Sequence, residues 1–448
     1  MIEPSGEIPA VGICPATENP SSENSSSENP ATKSPVTETP ANPPPADPST
    51  RPGVQNVAVL GATGSIGTAT AEVLAHLNRV DDRYRWRLWA ASGHHNVKGL
   101  TDLARDAARF GGPPERLVFS DPTVQSSLRN LEGPLQATEQ RWGPEELVGA
   151  ASHPEVDVVV AAIVGRAGLE STLAAVESGK RVALANKETL VVAGGLVQER
   201  SRATGAQLLP VDSEHSAIWQ CIADSPNRVR RLILTASGGP FRTATAAQME
   251  AATPETALAH PTWQMGRKIS IDSATMMNKA LEIIEARWLF DLPADQIEVV
   301  VHPQSIIHSM VEFEDGSVLA QLSPPDMRLP IQYALTHPRR LPCEAPPLQR
   351  NRRWDLSLEP VDLERFPALD LGFQVARVGG TAGAVVNAAN EVAVGLFLND
   401  QIRFTDIVTV CRKIMENHTF EERPTLSTLL RLDRWAREEA TECAAGVG

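Results

Sequence analysis

The feature that most limits the possible folds of this chain is a glycine-rich turn near residue 61. The segment "VAVLGATGSIGTATAEVL" begins as an apolar strand, turns through Gly61, Gly64 and Gly67, and continues with a helical pattern. Glycines in such a turn let phosphate groups approach the backbone, and the N–H groups of the following helix favour negative charge. The spacing is GxxGxxG rather than the commoner GxGxxG, so a turn without a ligand remains the alternative interpretation.

Apolar strands alternate with helical patterns throughout residues 53–203, as in "RWRLWAAS", "AGLESTLAAVESG" and "RVALAN". This alternation predicts an α/β fold with a doubly wound parallel sheet, in the form of a Rossmann-like domain. Residues 204–345, which include the strand "AQLLPV", predict a second α/β domain. Residues 346–366 form a Pro-rich linker, and residues 367–448 show only helical periods, which predicts a C-terminal helical bundle.

Composition separates residues 1–52 from the rest of the chain. They are rich in Pro, Ser, Glu, Asn and Thr, so we expect a disordered, low-complexity tail without a catalytic role. The net charge of −14 argues against nucleic acid as a partner. No apolar stretch reaches the roughly 18–20 residues that span a bilayer, so we expect no membrane partner. Five scattered cysteines favour a cytoplasmic location over a disulfide framework or a zinc site.

The end of the second strand predicts which dinucleotide binds. A carboxylate at this position would hold the ribose of NAD. The chain instead continues through Ser92 into Gly93-His94-His95-Asn96, which contains no acid to repel a 2′-phosphate. This pattern favours NADP, although two histidines on a loop are also typical of a solvated turn.

A second polar motif interrupts the apolar segment "LLPVDSEHSAIWQ", where Asp212 and Glu214 stand two residues apart. If this segment is extended, both carboxylates point to the same side, roughly 6–7 Å apart at their bases. Two such carboxylates repel each other unless a positive charge lies between them, and a divalent cation with oxygen ligands fits. A polar surface turn is the alternative interpretation.

The segment "ISIDSATMMNKALEIIEARWLF" offers a third carboxylate. It predicts a helix that Asp272 or Ser273 caps and that runs to Phe290. We expect its buried face to consist of Met277, Leu281, Ile284 and Trp288. The adjoining face carries Asn278, Lys279 and Glu282. This face could line a cleft, but an ordinary amphipathic helix with a solvated face explains the spacing equally well.

Two further segments carry groups that suit an anionic substrate. "LILTASGGPFR" ends a strand at Ser237, and its hydroxyl and the glycine N–H groups that follow suit an anion. Together with Ser273, Asn278 and Lys279 they are candidates for a phosphate pocket. Lys187 follows the strand "RVALAN" at its carboxyl end, where open α/β sheets bind ligands.

The segment "AHPTWQMGRK" predicts a lid over the substrate. It places His260, Trp263 and Met265 on a loop between two helical segments, and a tryptophan flanked by Pro and Gly suits a mobile cover. A tryptophan tucked into a domain interface is the alternative.

Two other polar motifs have simpler explanations. His302 and His308 in "HPQSIIHSMVEF" fit core or interface histidines, His302 especially. In "NAANEVAV" the residues Asn387, Asn390 and Glu391 share one helical face, which indicates helix packing or a domain contact.

Taken in order, eight motifs resemble those of the 1-deoxy-D-xylulose 5-phosphate reductoisomerase family and span residues 57 to about 400. They are "GATGSIG", "AAIVGRAGL", "LANKETL", "LLPVDSEHSAIWQ", "SGGPFR", "HPTWQMGRKISIDSATMMNKALEIIEARWLF", "HPQSIIHSMV" and "NAANEVAV". The resemblance implies rearrangement of 1-deoxy-D-xylulose 5-phosphate and its reduction by NADPH to 2-C-methyl-D-erythritol 4-phosphate, an isoprenoid precursor. It also implies a divalent metal ion and a homodimer.

The resemblance implies a role for each matching residue. The implied ligands of magnesium, manganese or cobalt are Asp212, Glu214 and Glu282, which are also catalytic together with Lys187 and His260. The implied substrate-binding residues are Lys187, Ser213, Glu214, Ser237, His260, Ser273, Asn278, Lys279 and Glu282. The implied NADPH contacts are Thr63, Gly64, Ser65, Ile66, Asn186, Glu188 and Gly266, with Gly93, His95 and Asn96 at the 2′-phosphate. That last turn has one residue more than is common in the family.

Two other functions are compatible with the glycine-rich turn. An aspartate-semialdehyde-type NADP dehydrogenase can share it, but that chemistry needs a nucleophilic cysteine, and Cys221 is poorly placed for this role. A non-catalytic NADP-sensing protein would have no reason to keep Asp212, Glu214 and Glu282 together.

Overall fold

The computed structural model describes residues 53–127, 131–223, 228–263 and 265–446. The predicted tail, residues 1–52, lies outside the described residues. Within the described ranges, no helix combines the length and the apolar character that a membrane span requires.

The first sheet has seven parallel strands in the order β4-β3-β2-β1-β5-β6-β7. Their bounds are β1 Gly53–Leu60, β2 Tyr84–Gly93, β3 Arg116–Phe119, β4 Glu139–Trp142, β5 Val158–Ala161, β6 Arg181–Leu184 and β7 Gln207–Pro210. The predicted doubly wound parallel sheet is thereby confirmed. One assignment was wrong: "AQLLPV" belongs to this sheet rather than to the second domain, because β7 pairs in parallel with β6.

Helices cover both faces of this sheet because successive side chains of a strand point to opposite sides. Val57 and Val59 of β1 enter one apolar core, and Ala58 and Leu60 enter another. The covering helices are α1 Ser65–Val80, α2 Val97–Ala108, α3 Glu145–Ala151, α4 Leu169–Glu177 and α5 Lys187–Thr204. After β7 the chain forms α6, Ser213–Ile222, which begins at the edge of the sheet where all these strands end.

The second sheet has five strands in the order β11-β10-β8-β9-β12. Their bounds are β8 Val229–Ala236, β9 Ile297–Val301, β10 Ile307–Phe313, β11 Val318–Leu322 and β12 Glu359–Pro360. Strands β8 and β9 pair in parallel, and the other described pairs of this sheet are antiparallel. The predicted second α/β region is therefore present, although β10 was not predicted. Helix α11, Arg328–Thr336, follows β11 and packs on the core of the first sheet.

The stretch between β8 and β9 contains several helices in its described part, and here the predicted single helix was wrong. They are α7 Ala246–Glu250, α8 Pro254–Leu258, α9 Arg267–Ala274 and α10 Met277–Leu289. The chain breaks between α9 and α10 because Met276 adopts a left-handed conformation with φ of +62°, which a helix cannot continue through. Asp272 and Ser273 therefore end α9 instead of capping α10. As a result, Ser273 near the end of α9 and Asn278 in the first turn of α10 line one cavity.

The predicted C-terminal helices are confirmed, and they are α12 Ala368–Val378, α13 Ala382–Leu398, α14 Asp406–Asn417 and α15 Leu426–Ala445. They join a large apolar core with α10 and the second sheet. Gly383 of α13 packs directly on α5, since a Cβ at this glycine would overlap the carbonyl oxygen of Val191. Glycine therefore lets two helix backbones touch where no side chain would fit.

Candidate active site

A cavity of about 590 Å³ lies where the carboxyl ends of β1, β5, β6 and β7 face the end of β8, α9 and α10. Most of the site residues that were predicted from the sequence line this cavity. The predicted site residues that line it are Gly64, Ser65, Ile66, Asn186, Lys187, Glu188, Asp212, Ser213, Glu214, Ser237, His260, Gly266, Ser273, Asn278, Lys279 and Glu282. Segments that lie far apart in the sequence thus meet in one space.

Three carboxylates meet at the floor of this cavity. Asp212 stands at the N-terminus of α6 and Glu214 in its first turn, so the segment is not extended and the side-chain alternation of a strand does not apply to this pair. Glu282 reaches them from α10, and one oxygen of each of the three carboxylates lies within 4.8 Å of the others. This spacing suits one cation that accepts oxygen ligands.

Two buried lysines lie among these carboxylates. Lys187 Nζ lies 2.6 Å from Asp212 Oδ2 and 3.2 Å from Glu282 Oε1. It also donates to Asn278 Oδ1 at 2.9 Å. Lys279 Nζ lies 2.8 Å from Glu214 Oε1 and also pairs with Glu282. Glu282 is therefore the residue that both lysines share.

Burial and charge move the pKa values of this cluster in opposite directions. Burial raises the pKa of Glu282 to about 7, and the negative charge of Glu214 acts in the same direction. Burial is the largest single effect on Asp212 and would raise its pKa, but the charge and hydrogen bond of Lys187 together with the charges of His215 and Lys279 outweigh it and hold that pKa below its usual value. Glu282 thus lacks sufficient compensating charge even though both lysines contact it.

Glu285, one turn beyond Glu282, is a site residue that the sequence analysis missed. Glu285 is 1% exposed, and neither carboxylate oxygen accepts a hydrogen bond from the described residues. Glu285 Oε2 lies 3.3 Å from His215 Nδ1, and burial raises the pKa of Glu285 to about 7. The sequence could have indicated this residue, because Glu285 follows Glu282 at a spacing of three residues and therefore lies on the same face of the helix.

The cluster therefore fits a divalent cation on grounds of charge. Among the described residues it holds four carboxylates and two lysines, all of them largely buried, so its formal charge is −2 if every one of these groups is ionised. The four carboxylates are Asp212, Glu214, Glu282 and Glu285, and the lysines are Lys187 and Lys279. Buried charge without a partner is costly, and one divalent cation supplies the missing charge.

His260 and Ser237 form a polar pair beside this cluster. His260 Nδ1 accepts the N–H groups of Thr262 at 3.2 Å and Trp263 at 2.9 Å. The proton of the neutral ring therefore sits on Nε2, which donates to Ser237 Oγ at 3.0 Å. Burial lowers the pKa of His260, in agreement with a neutral ring. His260 thereby ties the predicted lid loop to the end of β8.

Trp263 and Met265 line the cavity from the loop between α8 and α9. The ring centroid of Trp263 lies 6.3 Å from that of His308, which lines the same cavity although its sequence suggested a core or interface residue. His302 is a satisfied core histidine, as predicted, because both of its ring nitrogens have backbone partners.

The glycine-rich turn leads into α1 as the sequence indicated. Ser92 Oγ accepts the N–H of Gly61 at 2.9 Å, which ties the turn to the end of β2. No described side chain caps the N-terminus of α1 at Gly64, so the first N–H groups of the helix face the cavity without such a partner. This arrangement suits a phosphate.

The turn predicted to hold the 2′-phosphate lies beside this region rather than in the cavity lining. Gly93, His95 and Asn96 belong to it, and Thr63 of the glycine-rich turn, which is also absent from the cavity lining, packs against Gly93. Asn96 caps α2 by accepting the N–H of Gly99 at 2.8 Å. The segment itself contains no acid, but the fold brings one close to it, since His95 Nδ1 lies 2.7 Å from Asp121 Oδ2. Asp121 follows β3, a strand that the sequence analysis did not predict.

Cys221 does not supply a nucleophile here. It lies on α6, does not line the cavity, and burial raises the pKa of its thiol to about 11. A cysteine-dependent aldehyde dehydrogenase reaction therefore has no described thiol at this site.

Comparison with protein families gives three consecutive matches. The model "1-deoxy-D-xylulose 5-phosphate reductoisomerase" matches residues 57–194, and the C-terminal domain model of the same name matches residues 208–290. The "DXP reductoisomerase C-terminal domain" matches residues 322–439.

Individual proteins are similar over most of their length. A 1-deoxy-D-xylulose 5-phosphate reductoisomerase of Rhodopirellula baltica is 58% identical, with 88% of this chain and 96% of the relative covered. The Ralstonia nicotianae protein is 49% identical over 86% of this chain and 97% of its own. A solved structure from Zymomonas mobilis in complex with NADPH has a TM-score of 0.79 and 45% identity, and covers 88% of this chain and 99% of its own. A second one, with NADPH, fosmidomycin and magnesium, has a TM-score of 0.79 and 41% identity, and covers 87% and 98%.

Proposed function

This chain belongs to the 1-deoxy-D-xylulose 5-phosphate reductoisomerase family, and we propose how its own residues carry out that family's reaction. The reaction converts 1-deoxy-D-xylulose 5-phosphate into 2-C-methyl-D-erythritol 4-phosphate with NADPH and a divalent metal ion. It combines a rearrangement of the carbon skeleton with a reduction, so one site must hold a sugar phosphate, a cation and a dinucleotide together.

Asp212, Glu214 and Glu282 are the proposed metal ligands. The observation that carries this assignment is their convergence within 4.8 Å, in a buried cluster in which four carboxylates face only two lysines among the described residues. A divalent cation bound there supplies Lewis-acid polarisation of the substrate oxygens. The lysines hold the carboxylates apart and oriented, and Lys187 remains close enough to the cavity to contact substrate.

The substrate phosphate is proposed to bind next to the end of β8, beside the carboxylate cluster that Asn278 also contacts. Ser237, Ser273 and Asn278 line the cavity there, next to the N–H groups of the glycines that follow β8. His260 donates from Nε2 to Ser237 Oγ, so the hydroxyl proton of Ser237 is free to point at a phosphate oxygen. The proposed lid residues Trp263 and Met265 then exclude water from the bound substrate.

NADPH is proposed to bind with its phosphates at Gly64, Ser65 and Ile66, where α1 begins. The free N–H groups of the first helical turn and the helix dipole favour the negative charge of a pyrophosphate. The cofactor supplies the hydride for the reduction.

The wall between this nucleotide end and the substrate end is held by contacts among the described residues. Asn186 caps α5, and Glu188 in the first turn of that helix lies 3.2 Å from Lys268 Nζ. Gly266 lines the wall from the lid side. These contacts stabilise the wall between the NADPH end and the substrate end of the cavity, where the hydride has to be transferred.

The direct test is NADPH oxidation by the purified protein with 1-deoxy-D-xylulose 5-phosphate. We expect turnover that stops on chelation, returns with Mg²⁺ or Mn²⁺, and is absent with aspartate semialdehyde. NADPH binding without turnover would favour a sensing protein, and turnover that survives chelation would contradict the proposed metal site.

A homodimer and a cytoplasmic location are also proposed. Val318 and Leu319 on the edge strand β11 are 49% and 50% exposed, which suits an interface. The described cysteines are free thiols, as is usual in a reducing compartment. Light scattering of the full chain tests the dimer, and a Leu319→Glu variant should weaken it if β11 takes part.

A further inference from the structure

We propose that Glu391 is a positioning residue for NADPH: from helix α13 it holds the turn after β5 against the nucleotide end of the cavity. The inference rests on the proposed function, because it requires NADPH at that end. The turn is a short 3₁₀ segment, Gly165–Gly168, and the residues just before it, Ala162, Ile163 and Val164, line the cavity. A displaced turn would therefore displace part of the cofactor wall.

The contact joins a side chain to the backbone across 225 residues of sequence. Glu391 Oε1 accepts the N–H of Arg166 at 3.2 Å and the side-chain amide of Asn387 at 3.0 Å. Gly165 has a φ of +71°, and a Cβ there would lie 2.8 Å from Glu391 Oε1. The turn thus approaches the carboxylate as closely as a glycine permits.

The same turn is held from its other side by groups of the cavity. Asn186 Nδ2 donates to the carbonyl oxygen of Gly165 at 2.8 Å. Gly61, in the glycine-rich turn, packs on Ala162, since a Cβ at Gly61 would lie 2.6 Å from the Ala162 carbonyl oxygen. The segment 162–166 therefore lies between the phosphate-binding turn and Glu391, and it cannot move away from one without approaching the other.

The second carboxylate oxygen fixes the orientation of Glu391 within the C-terminal helices. Glu391 Oε2 lies 2.6 Å from Nη2 of Arg437 on α15, and Arg437 also pairs with Asp433 at 2.9 Å. Oε2 therefore binds α15, and Oε1 binds the turn after β5. Hydrogen bonds to an ionised acceptor are about twice as strong as neutral ones, so loss of the carboxylate should release the turn.

The experiment compares Glu391→Ala and Glu391→Gln with the wild type and with a control, Asp406→Asn. Asp406 is a suitable control because it is also an arginine-paired carboxylate of the C-terminal helices with little exposure, but it pairs with Arg403 rather than with the turn after β5. NADPH affinity is measured directly by calorimetry, so the result does not depend on turnover. Melting temperature and steady-state kinetics are recorded for the same samples.

For Glu391→Ala we expect the Kd and KM for NADPH to rise about tenfold, the scale of one charge-assisted hydrogen bond. The kcat at saturating NADPH and the KM for the sugar phosphate should stay within about twofold. Glu391→Gln keeps an acceptor for Arg166 N–H, so its Kd should rise by only about threefold. Asp406→Asn should lower the melting temperature without changing the Kd.

Two outcomes overturn the inference: an unchanged NADPH Kd in both Glu391 variants, or a change that Asp406→Asn reproduces. If Glu391→Ala does not fold, the Glu391→Gln measurement decides in the same way. A wild type that does not bind NADPH at all is a different result, because it contradicts the proposed function itself.

Discussion

The carboxylate–lysine cluster and the turn at Gly93–Asn96 both contain titratable side chains, but they differ in exposure. Glu282 and Lys279 are 1% and 3% exposed, whereas the His95 side chain is 69% exposed. Charges in the cluster cannot be solvated, so each depends on its neighbours and on a bound cation. Side chains of the turn are solvated, and electrostatic interactions there are screened, so each contributes little. Substitutions should therefore have large effects in the first region and small effects in the second.

The largest effect is expected for Glu282→Gln, which removes the carboxylate that both lysines share. The variant should lose at least about 10³-fold in kcat/KM, because a metal ligand is gone while two buried ammonium groups remain. Steady-state kinetics over a range of Mg²⁺ concentrations checks this, with Glu199→Gln on the exposed side of α5 as the control. Near-normal activity at low Mg²⁺ would remove Glu282 from the metal site.

A smaller loss is expected for Trp263→Ala on the lid loop. It should lower kcat/KM for the sugar phosphate by about 30-fold through weaker exclusion of water, with little change in melting temperature. Trp354→Ala, in an exposed part of the chain, is the matched control. Tryptophan fluorescence of the wild type should also change when a phosphonate substrate mimic binds. A strongly destabilised variant with an unchanged wild-type spectrum would indicate an interface residue instead.

The cluster should also make metal binding depend on pH. The pKa of Glu282 lies at about 7 without metal, above the ordinary value of a glutamate, so this carboxylate holds its proton more tightly in the folded protein. A metal ligand must be ionised, and protons therefore compete with the cation as the pH falls below about 7. We expect Mg²⁺ affinity to drop about fivefold between pH 7 and pH 6 and to level off above about pH 8. Calorimetry at several pH values tests this, and constant affinity over that range would contradict it.

The smallest effect belongs to the exposed turn. The wild type should prefer NADPH over NADH by at least about tenfold in kcat/KM, or about 1.4 kcal/mol. His95→Ala should reduce this preference by about threefold, and Asp121→Asn should increase it, because Asp121 places a negative charge beside the 2′-phosphate site. The decisive result is that the NADPH preference changes in opposite directions in the two variants. A change in the same direction in both would indicate that other residues contact the 2′-phosphate.

The two regions also differ in how well their sequences predict them. The carboxylates of the cluster stand in apolar segments, where polar residues are conspicuous, so Asp212, Glu214 and Glu282 can be identified. Their geometry cannot, because a sequence does not show that the chain turns into a helix after Asp212 or breaks at Met276. The position of Met276 in left-handed space is set by tertiary packing rather than by local preference.

Around the exposed turn, the prediction failed for a different reason. Arg116–Phe119 and Glu139–Trp142 are strands of four residues and, unlike the equally short β5, they do not stand within a longer apolar segment that would mark them as strands. Without β3, nothing placed Asp121 beside His95. The long, strongly periodic elements of the C-terminal region were predicted correctly as helices, because helices of three turns or more carry their own pattern.

The crossing of α13 over α5 has a mechanical consequence. At Gly383 the two backbones meet without a layer of side chains, and α5 begins at Lys187 on the cavity floor. Side chains can change rotamer and absorb a displacement, whereas two backbones in contact have little compliance. A displacement of α13 should therefore be transmitted to Lys187 with little loss. The C-terminal helices thus support the position of this lysine instead of forming an independent part of the molecule.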